Sequence, residues 1–197
     1  MGETVPALDR ALERVSALDY GASRPFVNHG PMACEALAAL GLGTSIDEWV
    51  PRFESSMEGA VLPEVAGWSP PREWQDAVGD SRLLAQWMGY FKGAIADDGW
   101  PSIVSLWVPR FMPGLAAALF HGVIRTSHAV RAIDAVDTPA RRTELARALA
   151  SWATGSSRGR QRAPPIPTPT RARRRRCQRP MAPVATWPPP PSSISTG

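Results

Sequence analysis

An abrupt change of composition near residue 154 constrains this chain more than any other feature. From Gly155 to the end there are nine Arg and 10 Pro, with no Lys, Asp, Glu, Leu or Phe. Such a segment has too little apolar surface to offset the entropy of ordering, so residues 154–197 are predicted to form a disordered basic tail. A fold has to come from residues 1–153. The formal net charge of +4 belongs to the tail, because the remaining 13 basic and 18 acidic residues give −5. A slightly acidic body joined to a basic tail is a different object from a uniformly basic protein.

Three readings of the tail compete. Clustered Arg from Arg171 to Arg179 could attract phosphate, as in an anion- or nucleic-acid-binding extension. The acidic body argues against nucleic acid, since the tail alone would supply affinity. A solvated linker is the second reading. The third, favoured by the abruptness of the change, is a shifted reading frame. The body uses 12 Arg and one Lys (Lys92), as GC-rich coding DNA does, and shifting frame in such DNA yields Pro, Arg, Ala, Ser and Thr.

The body reads as helix after helix. Residues 4–19 place Leu8, Leu12, Val15 and Leu18 on one stripe. Pro31 stands at a first helical position before the apolar run Met32 to Leu40, and Gly41-Leu42-Gly43 supplies a stop. Ser45 and Glu48 have the spacing of a capping box for a helix through about Ser56. A Gly/Pro-rich loop over 59–71 follows, then a helix capped by Asp80 or Ser81 and running to Ile95. Trp100-Pro101 opens an apolar stretch interrupted at Pro109 and Pro113, and helical periodicity resumes from Leu115 to Ile133. Thr138-Pro139 caps a final helix to Ala153. The expected class is all-α, an irregular multi-helix domain, and the tryptophans (Trp87, Trp100 and Trp107 among them) are expected in its core.

Several function classes drop out. Two cysteines, Cys34 and Cys177, make neither a disulfide scaffold nor a metal-ligand spacing. No apolar run approaches the ~18 residues of a membrane span, and the acidic N-terminal segment lacks a signal-peptide block. A cytoplasmic protein with no membrane partner is the expectation. The chain has no P-loop, GxGxxG, GxSxG or HExxH, and Gly41-Leu42-Gly43 lacks the strand and third glycine of a dinucleotide fingerprint.

All three histidines lie in two segments, FVNHGPM and LFHGVIRTSHAVRAI. On a helix His121, Arg125 and His128 share one face. Arg125 could supply a forked donor to an anionic or enolate oxygen, and the histidines could transfer protons. Seven residues separate the Cα atoms of His121 and His128 by roughly 10 Å, so the two share one metal only awkwardly. One of them could instead join His29. Against these stand plainer readings: packed histidines, Arg125 paired with an acid such as Glu35 or Asp134, and His29 capping the next helix.

At the same two segments the chain resembles the questin oxidase-like family. The resemblance rests on LDYGASRPFVNHGPMACEALAALG, on WVPRFMPGLAAALFHGVIRTSHAVRAI, and on the closing TPARRTELARALASWA, in that order and spacing across about residues 1–153. It implies an oxidoreductase: fungal members insert oxygen into anthraquinones in a Baeyer–Villiger manner, with NADPH as electron source and, in some, a non-haem iron held by histidines and a modified Lys. It makes His29 and His121 the implied metal ligands or catalytic groups, with His128 and Asn28 as further pocket candidates; Arg125 joins His121 and His128 as a catalytic candidate, and Asn28 as a substrate-binding one, on helix geometry and not on the resemblance. Fungal members tend to have a second His where this chain has Arg125. They also continue into a second helical half where this chain has its tail, which agrees with the shifted frame and implies an incomplete site.

The expected function is therefore oxidation of an aromatic, quinone-like or polyketide small molecule with O2 and NADPH, by a chain that is inactive if half its site is missing. The alternatives are a non-catalytic helical interaction module, with exposed helix faces that favour self-association, and anion or nucleic-acid binding through the tail.

Overall fold

The computed structural model describes residues 4–18, 28–57 and 63–156. The tail and most of the loop before His29 lie outside them. Seven α-helices and no strand are present among the described residues: α1 Thr4–Val15, α2 Gly30–Ala39, α3 Gly43–Ser55, α4 Leu84–Asp98, α5 Trp100–Phe111, α6 His121–Ala135 and α7 Pro139–Gly155. The all-α expectation holds. Among the described residues no helix is long and apolar enough to cross a membrane.

Two cores meet along α6. The first is aromatic and joins α4, α5, α6 and α7: Trp87, Phe91, Trp107 and Phe111 pack with Ile133, Leu145, Leu149 and Trp152. Trp87 and Phe91 stack with ring centroids 5.4 Å apart, and Trp107 meets both rings edge-on. Burial of such rings is the largest stabilising contribution here, about 1.5–3 kcal/mol for each fully buried side chain. The second core joins α1, α2 and α3 through Leu8, Leu12, Val15, Cys34, Ile46 and Val50, with Ala132 of α6 against it. The α1 stripe read from periodicity thus faces inward as expected. Burial pushes the Cys34 thiol up to about 12, so it is a packing group and not a nucleophile.

Helix ends follow local chemistry in most places. The Thr138 side chain accepts from Arg141 N, and Pro139 opens the first turn of α7. Asp80 accepts from Arg82 N and caps a short 3-10 turn, Ser81–Leu83, that leads into α4. Gly99, at φ +79°, ends α4 and begins α5, a conformation that suits glycine.

Three boundaries differ from expectation. The capping box at Ser45 and Glu48 is not used, because α3 begins at Gly43 and Ser45 already lies in its first turn. Pro109 does not interrupt α5; it sits in the last turn, where the helix is about to give way to the 3-10 turn Met112–Gly114. Helix α6 begins at His121 and not at Leu115. Ala118, Leu119 and Phe120 before it have φ of 49°, 54° and 66°, a left-handed run that no α-helical pattern contains.

Candidate functional site

The site sits where the N-termini of α2 and α6 come together. His29 is the N-cap residue of α2 and His121 is the first residue of α6. Their Nε2 atoms are 2.9 Å apart and their rings are nearly perpendicular. Residues 92 positions apart in sequence are therefore within hydrogen-bond distance through the same ring nitrogen.

The orientation of each ring has a local cause. The Nδ1 of His121 lies 2.6 Å from the Ala118 carbonyl oxygen. A carbonyl only accepts, so Nδ1–H donates and the Nε2 of the neutral ring carries the lone pair. The left-handed run Ala118–Phe120 is what turns that carbonyl back under the ring. Residues in this region cost about 1–2 kcal/mol each, and the strain lies immediately beside a candidate ligand. On the other side Asn28 holds the chain. Its Nδ2 donates to the carbonyls of Val15 (2.6 Å) and Leu18 (2.9 Å), and its Oδ1 accepts from Gly30 N (2.9 Å). Both amide protons and the carbonyl of Asn28 are thereby used within the protein. Asn28 positions His29 by tying the end of α1 to the start of α2; it does not face a ligand.

A pair of imidazoles of this kind fits part of a metal site. Two nitrogens about 2.0–2.1 Å from one ion and at right angles would stand about 2.9 Å apart, against about 3.3 Å in a tetrahedron. A ring whose other nitrogen donates to a backbone carbonyl is the usual arrangement behind a metal-binding histidine. Both residues stand at helix N-termini, whose positive dipole ends act against a bare cation, so an ion held there would need an anionic ligand as well. The set is partial: among the described residues no group of three or more His, Cys, Asp or Glu could hold a metal ion.

Arg125 and His128 lie further along α6 and are not brought to this pair. Arg125 is buried, and its fork is occupied by Glu144 of α7, with Nε to Oε1 at 2.7 Å and Nη2 to Oε2 at 2.8 Å. Its Nη2 also reaches the Ser16 carbonyl at 3.3 Å. The expected oxyanion donor is thus an internal brace between α1, α6 and α7, with Glu144 as its partner in place of Glu35 or Asp134. His128 places Nδ1 2.6 Å from Glu35 Oε2 of α2. Arg131 grips the same carboxylate, its Nε 2.6 Å from Oε1 and its Nη2 on Oε2. Burial works to raise the Glu35 carboxyl, but hydrogen bonds from Arg131 and His128 outweigh it and hold the group below its ordinary value.

Glu144, Arg131 and the Ala118 carbonyl were not expected from the sequence. Glu144 carried no signal: among Arg141, Arg142, Thr143 and Arg147 it reads as an ordinary surface acid. The position of a backbone carbonyl carried none. No family model matches the chain, and neither a curated protein nor a solved structure matches it.

Proposed function

We propose that the chain carries part of an oxidoreductase site of the questin oxidase-like type, in which His29 and His121 hold a non-haem iron and the substrate is an aromatic, quinone-like or polyketide small molecule. The observation that supports this most directly is the convergence of the two Nε2 atoms at 2.9 Å with His121 oriented by a backbone carbonyl. Iron held there would supply oxygen activation. The protein's own contribution is to fix the rings: Asn28 sets the entry of α2, and the Ala118 carbonyl sets the face that His121 presents.

NADPH is the electron source that the resemblance implies. The Gly41-Leu42-Gly43 turn joins two helices and lacks the strand of a dinucleotide site, so it does not supply the cradle. In this reading His29 and His121 are the two ligands offered by the described residues, among which no group of three or more His, Cys, Asp or Glu could hold a metal ion. The test is iron content after anaerobic loading, by mass spectrometry, alongside NADPH consumption with an anthraquinone. Bound iron that falls in H29A and again in H121A supports the reading, and quinone-dependent turnover would show that the chain is active as it stands. Iron content indifferent to both substitutions overturns it.

A second reading, a non-catalytic helical interaction module, is favoured by the exposure of Leu119, Phe120 and Ile124 around the start of α6. In that reading two copies associate through this surface. Sedimentation would give a dimer for the native chain and a monomer for L119S/F120S; a monomer in both removes the reading.

A further inference from the structure

The second polar cluster on the seam between α2 and α6 has a geometry of its own. His128 and Glu35 meet at 2.6 Å through Nδ1 and Oε2. The Glu35 side chain is only 6% exposed, whereas His128 remains a quarter exposed. A carboxylate can only accept, so the His128 Nδ1 must donate to it, and in the neutral ring Nε2 is left as the acceptor. Arg131 Nη2 stands 3.3 Å from His128 Nδ1 because both donors converge on the same oxygen. Arg131 does more than share the carboxylate. By balancing its charge, Arg131 keeps Glu35 ionised, so that the mobile proton of the cluster belongs to the imidazole.

We propose that Glu35 is a positioning residue that locks His128 in the Nδ1–H tautomer and makes its Nε2 a general base about two turns of α6 from the His29–His121 pair. The separation is roughly 10 Å along the helix, a distance that a fused-ring aromatic molecule with a hydroxyl at its far end would span. The step is a proton transfer without redox change. The substrate O–H bond breaks, an N–H bond forms at Nε2, and the imidazolium so produced is stabilised by the Glu35 carboxylate. Beside the two side chains is a small cavity with room for about one water, lined by Pro31, Ala129 and Glu144 among others. A substrate must therefore approach from the exposed side of His128.

The identity of the substrate rests on the oxidoreductase reading, but the tautomer does not. The test is long-range nitrogen-15 NMR of the histidine rings in the full chain at pH 8, with H128N to assign the signal. The expected result is a neutral His128 protonated at Nδ1 in the native chain. In E35Q an amide N–H can face Nδ1, so the expected tautomer is Nε2–H, or a mixture of the two forms. An Nε2–H ring in the native chain, or a doubly protonated ring at pH 8, overturns the proposal, the latter by making the pair a structural ion pair. Should E35Q fail to fold, the native measurement still decides. Iron content separates the two ideas: an Nδ1–H tautomer in a chain that binds no iron defeats only the metal reading, and bound iron with an Nε2–H tautomer defeats only this one.

Discussion

At the residue scale, the charged groups of this protein divide by what surrounds them. Arg125 and Glu144 are nearly fully buried and meet in a two-pronged pair, whereas pairs such as Arg10 with Asp47 are in water and contribute little. Removing one member of a buried pair leaves the other charge uncompensated. R125A or E144A should therefore cost about 3–5 kcal/mol, while the double replacement R125M/E144L should recover most of that loss. Urea unfolding checks both; equal losses in single and double variants would contradict the pairing argument. Glu35 gives a pH signature. Its carboxyl titrates below the ordinary value in the folded state, so its contribution to stability is complete above about pH 4.5 and disappears as the pH falls through the lower folded value. The native chain should lose stability over that acid window, and E35Q should show a flatter profile in thermal unfolding between pH 3 and 6.

At the element scale, α6 is the member on which everything depends, since it touches both cores and carries His121, Arg125 and His128. Its place against α7 is set by Gly122. A Cβ on that residue would lie 2.6 Å from the Trp152 ring, which is itself buried in the aromatic core. G122A should therefore force the two helices apart, with a cost of about 1–3 kcal/mol and loss of the His29–His121 contact. A melting temperature unchanged from the native chain would show that the contact can relax. The periodicity of α1 and the Thr138-Pro139 cap of α7 were legible in the sequence because each depends on neighbours within one or two turns. The start of α6 was not. Leu115 to Phe120 has helical composition, and no local pattern marks the left-handed run Ala118–Phe120 within it. The unused capping box at Ser45 is a similar case: the local pattern is present, but the helix already begins at Gly43, with Ser45 N donating to the Leu42 carbonyl.

At the scale of the whole molecule, the chain places two kinds of histidine along one seam between parallel helices, with rings fixed by different partners. The union of His29 with His121 was open in the sequence, where either His121 or His128 could have joined His29, and spacing alone did not choose. What chose was the turn at Ala118, which aims His121 at the start of α2 while Glu35 holds His128 further along. The burial of Arg125 was equally out of reach, because its partner Glu144 lies on another helix and reads as an ordinary surface acid. A metal-binding pair of His29 and His121 is registered by titration with Co2+ followed by its visible absorption. Saturable binding is expected for the native chain, unchanged in H128N, and abolished in both H29A and H121A while their helical content is retained. Binding that survives in either of those two variants, or none in the native chain, would contradict that reading.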